Sequence, residues 1–182
     1  MEIQIKQNWK EIDKLLSANG IEHFYHFTDY SNLDSIGKNG GLFSWEYCEK
    51  KGINIPRPGG NSLSRTLDTK SMLQNYVRLS FVLDHPMRHI AQGDGRITNP
   101  VLLRINKEVA FWESTKFFDS NATDVKSKYI YDKEIAGFSS IRFNLFKKKY
   151  NDLDVKEKKL YQAEILVKEK IPFEFITGKR IL

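Results

Sequence analysis

Apolar side chains near the start of the chain recur at the spacing of an α-helix. Trp9, Ile12, Leu15 and Leu16 lie one, three or four residues apart, and Gly20 follows where such a helix should end. An apolar stripe opposite a polar face is typical of a helix that packs on a core. We therefore predict one helix that ends before Gly20.

Polar residues able to cap a helix come before the next apolar pair. Asp29 or Ser31 can accept hydrogen bonds from the free N–H groups of a helix that carries Leu33 and Ile36, and the Gly40–Gly41 pair can end it. Two more short helices are predicted over residues 44–51 and 86–92.

Short alternating or aromatic runs predict strands elsewhere in the chain. They cover residues 21–27, 76–81, 101–105 and 161–167, and a final segment begins at Ile171. Short strands mixed with helices favour an α+β fold with a largely antiparallel or split sheet. A length of 182 residues indicates one domain spanning residues 1–182.

Two polar stretches are candidates for functional loops. Residues 52–61 (GINIPRPGGN) hold two prolines and three glycines, which excludes regular structure, and the polar run that follows is expected to be partly helical. Residues 114–128 form the second stretch. A long connection inside a compact domain is usually functional or disordered.

Composition narrows the class of protein. The 13% of aromatic residues argues against disorder, and no run of about 18 apolar residues exists that could cross a membrane. The charged N-terminal sequence does not resemble a signal peptide, and Cys48 alone can form neither an internal disulfide nor a cysteine-based zinc site. We expect a cytoplasmic protein.

The net charge of +6 points weakly to a polyanionic partner. Residues 141–182 carry 11 basic and 6 acidic side chains, so most of the excess lies in the last quarter. A basic surface attracts phosphate backbones through counterion release, but a solvated lysine-rich surface gives the same count.

Common catalytic motifs such as GxGxxG, GxxxxGK[ST], HExxH and GxSxG are missing from the sequence. His85 and His89 have helical spacing, but Pro86 lies between them and no third metal ligand is evident, so no metal is expected. Taken singly, the remaining candidates have ordinary structural explanations: a buried histidine for His26, a solvated loop side chain for Arg65 and an edge-strand charge for Glu164.

Five segments taken together resemble a known family. The segment YHFTDYSNLDSI begins at Tyr25, and it is followed in order by the Gly/Pro-rich loop ending near Arg65, YVRLSF with HPM, FFDSNAT, and YQAEILVKEKIPFEFI. The series, from Tyr25 to Ile176, is similar to the DarT-type DNA ADP-ribosyltransferases, which are toxins of a bacterial toxin–antitoxin system. Departures from the family pattern are Asp29 in place of a frequent second histidine, Ser120 in place of a glycine, and a less basic run at residues 83–85.

The resemblance implies a split, mostly antiparallel ADP-ribosyltransferase-like sheet flanked by helices. It also implies that NAD+ is the co-substrate, without a metal, and that the bond between nicotinamide and ribose is broken. A fixed carboxylate then stabilises the oxocarbenium-like transition state, and the family pattern assigns that role to Glu164. The second catalytic candidate is Arg65, but a guanidinium is a poor proton acceptor, so a positioning role at the pyrophosphate or the acceptor base is favoured.

The same resemblance assigns binding residues. NAD+ contacts are expected from His26, Phe27, Thr28, Asn32 and Arg65. Contacts to single-stranded DNA are expected from Tyr76, Arg78, Phe118 and Asn121. A macrodomain antitoxin that removes the modification is the implied protein partner. Transfer to RNA or protein, NAD+ hydrolysis alone, and a non-catalytic basic nucleic-acid-binding domain remain alternatives, and the sequence does not identify the modified base.

Overall fold

A computed structural model describes residues 3–182 of the chain. The helices in this range are α1 (Trp9–Ala18), α2 (Leu33–Lys38), α3 (Trp45–Lys51), α4 (Ser62–Lys70), α5 (Pro86–Gly93) and α6 (Val155–Leu160). The strands are β1 (His23–Asp29), β2 (Gly41–Phe43), β3 (Tyr76–Ser80), β4 (Pro100–Asn106), β5 (Lys116–Phe118), β6 (Glu164–Lys168), β7 (Lys170–Pro172) and β8 (Ile176–Ile181). Short 3₁₀ helices lie in several of the connections.

Six strands form one antiparallel sheet in the order β5-β6-β3-β1-β4-β8, and β2 pairs with β7 in a small second sheet. The large sheet is split near its middle. All seven residues of β1 pair with β4, whereas β1 and β3 share only the pair Tyr25 and Ser80 and then diverge. The predicted α+β class and the split, antiparallel sheet are confirmed.

Helices flank this sheet, and α1 buries its apolar face in the main core. Ile12 and Leu16 of α1 are fully buried, as the helical spacing predicts, in the same core as Phe24 of β1. The ring of Phe24 meets that of Phe81 edge to face at 5.4 Å between centroids. Burial of this kind contributes about 25 cal/mol for each Å² of apolar surface removed from water.

Capping residues set several helix boundaries. Asp29 accepts a hydrogen bond from the N–H of Ser31 and caps the 3₁₀ turn Tyr30–Asn32. The prediction that Asp29 or Ser31 caps α2 is therefore wrong, because α2 begins after Asn32, whose side chain makes no capping hydrogen bond. Ser44 caps α3 through the N–H of Tyr47, so this helix begins one residue later than predicted. Asn61 caps α4, which turns the polar run after the Gly/Pro loop into a regular helix.

The strand predicted over residues 161–167 starts late. Asp154 and Glu157 form a reciprocal capping box that starts α6, and the chain then turns through Tyr161 before β6 begins at Glu164. Glu164 is therefore the first residue of a strand that lies between β5 and β3 rather than at an edge of the sheet. In the range 3–182, no helix is long and apolar enough to cross a membrane.

Candidate active site

A cavity of about 510 Å³ opens at the split in the sheet. Its walls come from β1 and β3, the start of β6, helices α3 to α5, and the Gly/Pro-rich loop between α3 and α4. The cavity brings together these residues that the sequence analysis selected: His26, Phe27, Thr28, Asn32, Arg65, Tyr76, Arg78, Asn121 and Glu164. Phe118 does not line it.

Glu164 is held at this cavity by two hydrogen bonds to one of its carboxylate oxygens. Oε2 accepts from Nη1 of Arg78 at 2.5 Å and from the backbone N–H of Ala122 at 2.8 Å. No donor among residues 3–182 bonds to the other oxygen, Oε1. With only 5% of the residue exposed, the carboxylate is fixed in orientation while one oxygen is left for a ligand.

Burial raises the pKa of Glu164 above its ordinary value, because the charged form loses its hydration. The guanidinium of Arg78 and the N–H of Ala122 oppose this rise, while the negative charge of Asp68 adds to it. Ionisation of this carboxylate therefore depends on Arg78.

Arg78 lies between two carboxylates. Its Nη1 donates to Glu164, and its Nη2 donates to Oδ1 of Asp68 on α4. Burial alone would lower the pKa of Arg78, but the two carboxylates outweigh that and raise it. Arg78 was predicted to contact DNA; in this structure its guanidinium holds Glu164.

Asp68 is a site residue that sequence reasoning missed. It is 7% exposed and lines the cavity from α4, one turn after Arg65. The spacing of three residues within a helix places both side chains on one face, so a helix prediction for residues 62–70 could have identified it.

The imidazole of His26 bridges the split between β1 and β3. Its Nδ1 lies 3.0 Å from the carbonyl oxygen of Arg78. Burial lowers the pKa of His26, so the ring is neutral and Nδ1–H donates to that carbonyl. This arrangement leaves Nε2 as an acceptor for a ligand hydroxyl group.

Asn32 connects β1 to the Gly/Pro-rich loop. Its Nδ2 donates to Oγ1 of Thr28 at 2.9 Å and to the carbonyl of Arg57 at 2.7 Å, and its Oδ1 accepts from the N–H of Arg57 at 2.9 Å. Asn32 was assigned to NAD+, and it lines the cavity, but its amide is engaged in holding the loop over the site.

Arg65 lies at the rim of the cavity and not in the loop where the sequence analysis placed it. It belongs to the second turn of α4, since Asn61 starts that helix. Its Nη1 is 2.8 Å from a carboxylate oxygen of Glu49, and its guanidinium lies 5.3 Å from the ring centre of Trp45. The side chain is 36% exposed, so it remains accessible to an anionic ligand.

His85 and His89 have separate structural partners. Nδ1 of His85 accepts from the N–H of Met87 and caps α5, whereas Nε2 of His89 lies 2.6 Å from Asp84. Burial and the nearby Arg78 lower the pKa of His85 to about 4, which makes it neutral near pH 7. No group of three or more metal-ligating side chains occurs in the described part of the chain.

Of the remaining DNA candidates, Tyr76 and Asn121 line the cavity, whereas Phe118 lies on β5 outside it. Tyr76 begins β3, and Phe118 pairs with Glu164 across β5 and β6. Asn121 lines the cavity, and its Oδ1 accepts from the N–H and the hydroxyl of Thr123.

Asp29, one of the three departures from the family pattern, is a structural residue in this fold. Its carboxylate is buried and accepts from the N–H and hydroxyl of Ser31 and from the N–H groups of Thr98 and Asn99. Burial alone would raise the pKa of Asp29, but these hydrogen bonds outweigh it and hold the pKa well below its ordinary value. The carboxylate thus joins the end of β1 to the start of β4.

We expect Asp29→Asn to lower the free energy of unfolding near pH 7 by about 2–4 kcal/mol, because an amide nitrogen cannot accept from the N–H groups of Thr98 and Asn99. Because the pKa of Asp29 is depressed in the folded state, its carboxylate stabilises the fold at pH values above its ordinary pKa of 3.8. That stabilisation is lost as the pH falls through the pKa of the folded state. Urea unfolding of Asp29→Asn and of the unmodified protein at several pH values measures the loss of stability. A loss that is as large at low pH would contradict the assignment.

The family model for DarT, described as an ssDNA thymidine ADP-ribosyltransferase, matches residues 25–181. No curated protein sequence matches the chain. Among solved structures, Thermus sp. 2.9 DarT in complex with ADP-ribosylated ssDNA aligns with a TM-score of 0.74 at 15% identity, covering 89% of this chain and 82% of the other. The same protein in complex with NAD+ gives 0.65 at 17% identity, with 88% and 82% covered. Thermosipho africanus DarTG in complex with ADP-ribose gives 0.68 at 19% identity, covering 88% of this chain and 44% of the other.

Proposed function

The chain belongs to the DarT family of ssDNA thymidine ADP-ribosyltransferases, and we propose that its cavity transfers ADP-ribose from NAD+ to a thymine base in single-stranded DNA. The observation that carries this proposal is a single cavity that contains both the oriented carboxylate of Glu164 and the first histidine–threonine segment, His26 to Thr28. A cavity of about 510 Å³ with a mostly apolar surface is typical of a cofactor-sized ligand site.

The polar groups of the cavity fit the chemistry of NAD+. His26 offers a neutral acceptor for a ribose hydroxyl, and Arg65 offers an accessible cation for the pyrophosphate. Glu164 offers a carboxylate for the positive charge that develops at the anomeric carbon C1′. Phe27 and Thr28 complete the wall on which we place the nicotinamide end of the molecule.

In the reaction, the bond between C1′ and the nicotinamide nitrogen breaks, and its electron pair leaves with neutral nicotinamide. The negative charge of Glu164 stabilises the oxocarbenium-like ribose more than the ground state. The ring nitrogen of thymine that bears a hydrogen then forms the new bond to C1′, and its proton passes to solvent water. Arg65 positions its ligand rather than acting as the base, because a guanidinium is a poor proton acceptor.

The test is mass spectrometry of oligonucleotides that differ in whether they contain thymine, each incubated with the protein and NAD+. We expect a mass gain of one ADP-ribose unit only on the thymine-containing strand, together with release of nicotinamide. Nicotinamide release without any mass gain would indicate a NAD+ glycohydrolase instead. Modification of RNA or protein, but not DNA, in parallel reactions would assign a different acceptor.

We expect Arg65→Gln to raise the KM for NAD+ about tenfold, since one cation–pyrophosphate contact is lost. The free energy of unfolding should change by less than about 1 kcal/mol, because the ion pair with Glu49 is exposed. Lys70→Gln, an exposed cation at the end of the same helix, is the matched control. An unchanged KM for NAD+ with a raised KM for DNA would place Arg65 at the acceptor strand.

The family further suggests the biological setting. We propose that the protein is the toxin of a toxin–antitoxin pair, acts in the cytoplasm on single-stranded DNA, and is counteracted by a macrodomain antitoxin that removes the modification. The likeness to a DarTG chain supports this pairing. Residues 1–182 are proposed to form one ADP-ribosyltransferase domain.

A further inference from the structure

A row of side chains leads outward from the reactive carboxylate across the sheet. Glu164 pairs with Ser80 on one side and with Phe118 on the other, and Phe118 in turn is bridged to Tyr129. Directly paired residues project from the same face of a sheet. The aromatic rings of Phe118 and Tyr129, 5.7 Å apart, therefore continue the line that begins at Glu164.

A second row on the same face carries positive charge. Arg78 pairs with Leu166, and Leu166 pairs with Lys116 on β5. The ammonium group of Lys116 lies 4.7 Å from the ring centre of Tyr76, which itself lines the cavity. We call the set formed by Tyr76, Lys116, Phe118 and Tyr129 the β5 platform.

The β5 platform is open to solvent at its outer end. Tyr129 is 51% exposed and lies on the segment 128–130, which hydrogen-bonds to the outer edge of β5. Lys128, next to Tyr129, and Lys168, paired with Tyr76, are also exposed. The nearby carboxylate of Asp132 is buried beside Lys6, so its charge is compensated within the fold.

We propose that the β5 platform binds the nucleotides that flank the target thymine, with their bases stacked on Phe118 and Tyr129 and a phosphate beside Lys116. This inference rests on the proposed function. Aromatic rings stack on any base, and interleaved cations follow the phosphate backbone, which is how proteins hold single strands without reading their sequence. Tyr76 belongs to both the cavity and the β5 platform. The DNA strand therefore passes directly from the cavity onto the β5 platform.

The experiment compares two substrates that contain one thymine, an oligonucleotide of about 12 nucleotides and a trinucleotide. Tyr129→Ala should raise the KM and the dissociation constant for the long strand about tenfold, since stacking of one base contributes roughly 5- to 150-fold in affinity. It should leave the trinucleotide and the release of nicotinamide from NAD+ unchanged. Tyr129→Phe retains the ring and should restore binding.

Tyr30→Ala serves as the matched control, because Tyr30 is 52% exposed and lies outside the cavity wall. Equal affinity of Tyr129→Ala and the unmodified protein for the long strand would overturn the inference. So would an equal loss on the trinucleotide, or a failure of Tyr129→Phe to restore binding. Absence of DNA modification by the unmodified protein would instead overturn the proposed function. The two failures can be distinguished, because the measurement of DNA binding does not depend on catalysis.

Discussion

Glu164→Gln is expected to lower the rate of DNA modification by at least about a hundredfold while the fold is retained. Glutamine has nearly the same shape, and its amide oxygen can still accept from the N–H of Ala122 and from Arg78. What the substitution removes is the negative charge beside C1′, which matters most in the transition state. NAD+ affinity should therefore change much less than the rate.

Two measurements check this result together: the rate of ADP-ribose transfer by mass spectrometry and the shift of the melting temperature with added NAD+. Glu174→Gln is the matched control, because it makes the same replacement at an exposed glutamate before β8. It should change neither the rate of transfer nor the shift of the melting temperature. If Glu164→Gln transferred ADP-ribose at more than a tenth of the original rate, the carboxylate would not be the catalytic group.

Sequence pattern is a good guide to the parts of this fold that bury a periodic face. The stripe through Ile12 and Leu16 and the run that became β4 have that property, and both elements are present. The strands β2, β5 and β7 have three residues each, too few for any periodicity. β8 is mostly exposed on the sheet edge, so no apolar alternation marks it.

The family resemblance inferred from five ordered segments is confirmed by the family model over residues 25–181. It led to the carboxylate, the histidine–threonine segment and the loop, and the structure brings all three to one cavity. The pairing of Arg78 with both Glu164 and Asp68 could not be predicted in the same way. Glu164 lies 86 residues from Arg78 in the chain, and Asp68 lies on a helix whose position relative to β3 the sequence does not show. Alternation within β3 indicates only the face of the sheet from which Arg78 projects, not the carboxylates that it contacts.

Arg78→Gln is expected to have the second largest effect and to destabilise the protein by about 3–5 kcal/mol near pH 7. The substitution leaves Glu164 and Asp68, both buried, facing each other without the cation between them. Adding Asp68→Asn should recover part of the loss, because only one buried charge then remains. Chemical denaturation of the two single variants and the double variant measures this coupling.

The dependence of stability on pH follows from the raised pKa of Glu164. In the folded state this carboxylate keeps its proton at pH values where the unfolded chain has lost it. The contribution to stability is therefore full below the ordinary value of 4.5 and is lost as pH rises through the folded-state pKa. Removal of Arg78 raises that pKa further, so the stability deficit of Arg78→Gln should be larger near pH 8 than near pH 5.

Activity should respond to pH in the opposite sense. Catalysis requires the ionised carboxylate, so the rate of Arg78→Gln should rise with pH through the raised pKa of Glu164, at higher pH than in the unmodified protein. In Arg78→Gln, ionisation of Glu164 as pH rises should therefore lower the stability and raise the activity together. An activity profile that stays in place while stability changes would separate the two and limit Arg78 to a structural role.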